Sequence, residues 1–329
     1  MRILIIGGTR FVGRYIAQAA ADAGHDLTLF HRGKSGAGLF PDATHVIGDR
    51  NGDLAGLRSA DWDATVDVSA YRPRQVRSLA EALDGRSGRH QYISTTSVYQ
   101  PPLPPNFGED APLVELPDPN IEEVTDQMYG GLKVLCERAA LDAHGPDTTV
   151  IRPTWVIGPH DYTGRLTWWV NRLARGGEVL APGDPADPIQ VIDARDMGTW
   201  AVDLLERKAS GTYHAVSPPP PFGFGDLLDA VAAKVAPAAT TLTWVDSDFL
   251  HAAGETDGSL PLWPRGDEFT DTNAASPAAA YASGLSPRPL CQSVRELHES
   301  ERQSPTPIPG GVGLTPEREA ELLSQWRNR

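Results

Sequence analysis

The chain has 329 residues, 40% hydrophobic and 22% charged, with 43 acidic against 29 basic side chains and a formal net charge of −14. That is the composition of a soluble globular protein with one large or two intimate domains, and its sign disfavours extended nucleic-acid binding without a local basic patch. No run approaches the roughly 18 uninterrupted apolar residues of a membrane helix, and no signal-peptide cleavage pattern follows Arg2. Cys136 and Cys291 have no CxxC or His-rich companion, which argues against a structural metal or a disulfide framework. A reducing cytoplasm is the expected compartment.

In chain order, Ile3-Leu4-Ile5-Ile6 reads as a strand buried on both faces, as in a parallel sheet. Gly7-Gly8-Thr9-Arg10-Phe11-Val12-Gly13 follows at once, then a helix through Ala23 stopped by Gly24, then a strand over 26–30. Strand, glycine turn, helix and strand together form the context in which such a turn cradles a pyrophosphate against a helix N-terminus. Further strands are expected over 45–48, 64–68, 91–95 and 148–151, with helices over 75–83 and 124–143. This alternation predicts an α/β fold with a doubly wound parallel sheet of the Rossmann type. Ligands sit at the carboxyl ends of such strands, so Gly7, His31, Asp49, Ser69, Thr95 and Arg152 converge on one crevice, with Arg50 beside them.

Tyr129 and Lys133 stand four apart on the 124–143 helix, hence on one face. An ammonium beside a phenol favours the phenolate, which makes the tyrosine a usable acid/base near neutral pH. The Pro-rich segment 101–119, between the 91–95 strand and this helix, is either a lid over the crevice or a passive loop, and the lid reading is preferred. The alternation fades after about residue 160. The expected division is a dinucleotide-binding domain over 1–163, rejoined by 187–215, with 164–186 and 216–329 forming a smaller, interleaved substrate-binding portion. At the C-terminus, Thr315 suits an N-cap and Pro316 the first helical position.

Gly7 to Gly13, Tyr92 to Tyr99, Tyr129-Gly130-Gly131-Leu132-Lys133, Arg152-Pro153 through Gly158-Pro159, and Ile189 to Asp193 occur in order. As a set they resemble the extended (atypical) short-chain dehydrogenase/reductases, the NAD(P)-dependent epimerase/dehydratase family, over roughly residues 1–215. The resemblance implies Tyr129 as general acid/base, Lys133 as the ribose-holding and phenol-tuning group, and Thr95 as the hydroxyl that orients the reacting oxygen. It further implies cofactor contacts from Gly7, Thr9, Arg10, Phe11, Val12, Gly13, His31, Arg32, Lys34, Asp49, Arg50 and Ser69, with Asp49 at the adenine. Substrate contacts are expected from Thr96, Ser97, Trp155, Arg165 and Gln190. Thr96 and Ser97 stand where sugar-nucleotide dehydratases carry Asp-Glu, so dehydration is disfavoured. Arg10 replaces the middle glycine, and His31-Arg32-Gly33-Lys34 replaces the acid that binds ribose hydroxyls. Those cations suit a 2′-phosphate, so NADP(H) is expected over NAD(H).

Trp155, Trp168 and Trp169 read as core or pocket lining, with core preferred. Arg152 is equally suited to a substrate anion and to a helix carboxylate. His25, His31, His45 and His160 lack metal-ligand spacing, and no metal is expected. The expected function is an NADP(H)-dependent oxidoreductase that passes hydride between nicotinamide and a carbonyl or carbinol carbon of a small molecule. A sugar-nucleotide epimerase is the first alternative. The Gly7–Gly13 and Phe30–Lys34 runs also resemble chloroplast stem-loop RNA-binding relatives of the superfamily, a second alternative that the acidic charge weighs against. A homodimer is left open.

Overall fold

In β1 (Arg2–Ile6), Ile3 and Ile5 face one side of the sheet and Leu4 and Ile6 the other, and all four are buried. A strand covered on both faces has no polar alternation to show, which is why it reads as a bare apolar run. The computed structural model describes residues 1–36, 38–58, 60–263 and 271–329. β1 lies at the centre of a seven-stranded sheet with β2 (Asp26–His31), β3 (Thr44–Ile47), β4 (Ala64–Asp67), β5 (Arg89–Ile93), β6 (Thr149–Pro153) and a later strand, β10 (Gly211–Ala215). The order is β10-β6-β5-β4-β1-β2-β3, and every pair is parallel. The order reverses between β1 and β4, and such a switch point opens the ligand crevice of an α/β sheet.

Helix α1 (Phe11–Asp22) covers one face of the sheet and α2 (Pro73–Leu83) and α3 (Asp126–His144) the other. Thr125 Oγ1 accepts from Met128 N–H and so sets where α3 begins. Helix α1 also packs on α5 (Ala194–Glu206), which follows the short strand β9 (Val191–Asp193), itself paired with β7 (Trp155–Ile157).

A second core lies outside the sheet. It gathers α4 (Arg165–Ala174), β8 (Glu178–Pro182), α6 (Phe224–Val235) and β11 (Thr241–Val245), the last paired in parallel with β8. Trp168, Trp169, Phe224, Leu227 and Leu228 fill it, and Trp169 Nε1 donates to Pro261 O. Short helices α7 (Ser247–Ala252) and α8 (Ala278–Ala282) lead to α9 (Leu290–Gln303) and α10 (Pro316–Arg327). The last starts where expected: Thr315 Oγ1 accepts from Arg318 N–H, and Leu322 and Leu323 dock into the second core. Among the described residues no helix is long and apolar enough to cross a membrane.

Candidate active site

The glycine turn closes the carboxyl end of β1. A Cβ on Gly13 would lie 2.1 Å from Gly7 O, so only glycine lets α1 start this close to the strand. Arg10, at the N-cap, makes no side-chain cap bond, and no acidic residue occupies the first turn of α1. The free N–H groups there are left to an anion. Thr9 Oγ1 lies 3.2 Å from Ser35 Oγ, which brings the turn after β2 against the glycine turn. Arg32 and Lys34 on that turn are exposed, and the charge they present acts on the exposed Asp49 carboxylate.

His31 is locked beneath them: its Nε2 is 2.8 Å from His45 Nδ1, and its Nδ1 accepts from Gly33 N–H at 3.1 Å. Its place is to shape the turn. Arg50 likewise belongs to the scaffold rather than to a cofactor subsite. It grips the fully buried Asp67 through two bonds of 2.6 and 2.8 Å and donates to Ser69 Oγ and Gln75 O.

Thr95, two residues past β5, caps the short 3-10 turn Thr96–Val98 by accepting from Ser97 N–H at 3.2 Å; its hydroxyl also donates to Ser97 Oγ. Helix α3 presses directly on this turn: a Cβ on Gly130 would lie 2.0 Å from Ser97 O. That contact sets Tyr129, the preceding residue, near Thr95, whose hydroxyl acts on the phenol. Gly130→Ala should therefore push α3 off the turn, costing about 1–3 kcal/mol in urea denaturation and most of any turnover. A variant as stable and active as the wild type would show that the contact does not position Tyr129.

Lys133 corrects one sequence expectation. It shares the helix face with Tyr129, yet its ammonium turns inward, donates to Ile93 O at 2.7 Å and Ala70 O at 3.0 Å, and lies 4.3 Å from the Tyr92 ring centroid. Burial, reinforced by Tyr71, raises the Tyr129 phenol, and the Thr95 hydrogen bond only opposes this. The phenol is thus held protonated rather than tuned toward phenolate.

Burial also pulls the Lys133 ammonium down from 10.5 to about 8. A lysine that binds its proton less tightly when folded makes stability rise with pH between those two values, and the full cost of burying the ammonium is present below the lower one. Lys133→Met should remove that rise between about pH 8 and pH 10.5, read from denaturation midpoints across the window. An equal rise in the variant would assign it to other groups.

The mouth of the crevice is aromatic. The Tyr71 ring centroid lies 6.2 Å from that of Tyr129, and Tyr71 and Tyr162 are 41% and 43% exposed. Arg10 was expected beside the adenosine ribose. Its guanidinium lies over Tyr162, with its carbon 3.6 Å from the ring centroid, and acts on Tyr71. Arg165 lies 4.7 Å over Trp155 and acts on Tyr129. Thr96 is buried within the turn and Ser97 is exposed beside it.

Gln190 is no substrate contact here. Its amide donates to Pro218 O and Ala275 O and accepts from Ala275 N–H, so backbone saturates it. Trp168 and Trp169 are core. Arg152 is paired with the carboxylate of Glu137 on α3, at 2.7 and 3.0 Å, and Glu137 also accepts from Ser94 Oγ at 2.5 Å. Glu137 escaped the sequence reading, although it stands four residues beyond Lys133 on the same helix face.

The segment 101–114 is tied down on both sides. Val114 N–H donates to Val98 O, Gln100 N–H to Pro112 O, Asn106 N–H to Ala274 O and Ser276 N–H to Phe107 O. Beyond it, Glu122 is gripped by Arg72 and Arg74 at the start of α2.

A doubly wound parallel sheet with a glycine turn at its switch point is the fold of the solved epimerase structures that the chain matches. Among solved structures, the fold matches a UDP-N-acetylglucosamine 4-epimerase from Bacillus cereus at 18% identity, covering 94% of this chain and 99% of that one with a TM-score of 0.66. It also matches a UDP-glucuronic acid 4-epimerase from the same organism in complex with NAD, at 17% identity over 92% and 97% with a TM-score of 0.66. A human epimerase family protein with NADPH matches at 19% identity over 91% and 99%, with a TM-score of 0.65. No protein-family model matches the chain. In sequence it is 28% identical over 227 residues to an Arabidopsis thaliana protein, the chloroplast stem-loop binding protein of 41 kDa b. That match covers 64% of this chain and 56% of the relative, so the chain spans a little over half the relative's length.

Proposed function

We propose that this chain is an NAD(P)-dependent oxidoreductase of the extended short-chain type, with its active site in the crevice between the glycine turn and the Thr95–Tyr129 pair. The observation that carries the reading is the packing of α3 at Gly130 on Ser97 O, which brings Tyr129 near Thr95 just beyond the carboxyl end of β5, with Lys133 one helical turn away. The residues present fit a nicotinamide dinucleotide: Gly13 lets α1 start directly against the glycine turn, and the start of α1 has uncommitted N–H groups. When bound, the dinucleotide supplies or accepts the hydride. Tyr129 holds the matching proton on its phenol oxygen, and Thr95 Oγ1 orients the reacting oxygen. A phenol kept protonated by burial is set to donate, which favours carbonyl reduction. The resemblance gives the ribose hydroxyls to Lys133, whose ammonium has one proton left beyond its bonds to Ala70 O and Ile93 O. An epimerase that oxidises and re-reduces one substrate uses the same groups, and would show no net cofactor consumption.

NADP(H) is the proposed preference. Arg32 and Lys34 support it, standing exposed on the turn after β2 where the family carries an acid. Arg32→Asp should weaken NADPH by about 1–3 kcal/mol and leave NADH nearly unchanged, as read by fluorescence titration. Equal losses for both cofactors, or tighter NADH binding by the wild type, would remove the 2′-phosphate assignment. The name of the Arabidopsis relative supports a second reading, RNA binding on a reductase fold. The net charge of −14 opposes it, and salt-dependent retention of stem-loop RNA would favour it.

A further inference from the structure

We propose that the cavity between the end of α4, the start of β8 and α10 is a second ligand site, built apart from the glycine turn and the Thr95–Tyr129 pair, and that it takes a small organic oxyanion, a phosphate monoester or a carboxylate with an apolar body. The inference stands whether or not the crevice holds a nicotinamide dinucleotide.

The cavity has a volume of about 390 Å³, within the range of small-molecule sites. Arg172, Arg175, Glu178, Glu319 and Arg327 supply its charged lining. Hydrogen bonds hold these groups together. Arg172 Nε donates to Glu319 Oε2 at 2.6 Å, its Nη1 to Gly176 O at 3.0 Å and its Nη2 to Glu178 O at 2.5 Å. Arg327 Nη1 donates to Glu178 Oε2 at 3.1 Å, so α10 is tied to the α4–β8 turn at two points. The remaining carboxylate oxygens are also engaged: Glu319 Oε1 accepts from Leu180 N–H at 3.0 Å and Glu178 Oε1 from Thr243 Oγ1 at 2.8 Å. The donors are not exhausted. Arg175 is exposed, and among the described residues its guanidinium has no hydrogen-bond or ion-pair partner. Arg318, on the same α10 but outside the cavity, has both Glu255 and Glu321. Three guanidinium groups against two carboxylates leave this lining one positive charge in excess, on a chain of net charge −14. A cavity whose carboxylates are engaged and whose spare polar group is a guanidinium selects an oxyanion, and the planar fork of arginine matches phosphate and carboxylate alike. Pro316, Ala320 and Leu323 make the rest of the wall apolar, which suits an organic body rather than a bare ion. Arg172 and Glu319 are 7% and 5% exposed, so the floor of the site is set before a ligand arrives.

The test is calorimetric titration of the full chain with phenyl phosphate, benzoate and benzyl alcohol, each with and without saturating NADPH. At least one anion is expected to bind about 10-fold more tightly than the neutral alcohol, and the tighter of the two names the group as phosphate or carboxylate. NADPH should leave that binding unchanged, because it is expected in the crevice. Arg175→Gln should weaken the anion about 10-fold, and Arg175→Gln/Arg327→Gln should reduce it to the level of the alcohol. Arg175→Lys, which keeps the charge and loses the planar fork, should fall between. Arg175 is exposed and makes no bond that its replacement would break, so the single variant decides the matter even if the double one melts early. Equal binding of benzyl alcohol, no saturable binding of either anion, competition by NADPH, or undiminished anion binding by Arg175→Gln would overturn the site. Arginine-dependent anion binding by a protein that gives no heat with NADPH would keep the site and overturn the cofactor reading instead.

Discussion

Tyr129→Phe is expected to lower turnover by about 10²–10⁴-fold, the usual worth of a positioned acid/base group, while leaving NADPH affinity nearly unchanged. The substitution keeps the ring and its packing beside Tyr71, 6.2 Å away, so the crevice retains its shape. What disappears is the phenol hydroxyl, on which Thr95 acts. Thr95→Val should show a smaller loss of the same kind, because the oxygen it orients keeps its proton donor. Steady-state rates with a screened carbonyl substrate and a parallel fluorescence titration measure the two quantities. Near wild-type turnover in Tyr129→Phe would remove Tyr129 from the acid/base role.

Arg152→Met is expected to destabilise the fold by about 3–5 kcal/mol, the cost of leaving one member of a buried ion pair alone. Arg152 and Glu137 are both 4% exposed. Without the guanidinium, the Glu137 carboxylate keeps only the Ser94 hydroxyl. The loss extends along a buried chain, since Arg152 Nη1 also donates to Tyr99 Oη and Glu109 O, and Tyr99 Oη bonds His214 Nε2. His214 Nδ1 bonds Ser276 O, so β6, the 101–114 segment and the 271–276 stretch are linked through this one guanidinium. The double variant Arg152→Met/Glu137→Leu should recover much of the loss, because removing both charges removes the desolvation penalty. Guanidinium chloride denaturation of the three proteins settles it. A single variant within about 1 kcal/mol of the wild type would show that the pair contributes little.

The first half of the fold was legible in the sequence because parallel strands buried on both faces read as short apolar runs, and because Gly13, Gly24 and Thr315 do jobs that few residues can do. Expected and observed strands agree to within two residues or so from β1 to β6. The second half was not legible. β7 and β9 have three residues each, and β8 pairs with β11 some sixty positions later, so neither pair leaves a local period. Trp168-Trp169 sits in a helix whose packing partners come from α6 and from Pro261.

At the site, spacing placed Tyr129 and Lys133 on one face, and that holds. Where the lysine points is decided by Ala70 O and Ile93 O, carbonyls 63 and 40 positions away. Gln190 is saturated by Ala275, 85 positions distant. Arg10 is captured by Tyr162, a residue with no motif around it. Helix periodicity fixes a face, whereas a long polar side chain's final partner is a matter of tertiary geometry that no local pattern carries.

The central claim is that the crevice at the β1–β4 switch point binds a nicotinamide dinucleotide beside Tyr129. Its most direct test is a titration of NADPH fluorescence with the wild-type protein and with Gly13→Val, whose side chain would push the start of α1 away from Gly7 O and break the turn's geometry. Saturable enhancement with the wild type, abolished in a Gly13→Val protein that remains folded by circular dichroism, is the predicted result. No saturable change with either NADPH or NADH, while stem-loop RNA binds the wild-type protein, would contradict it.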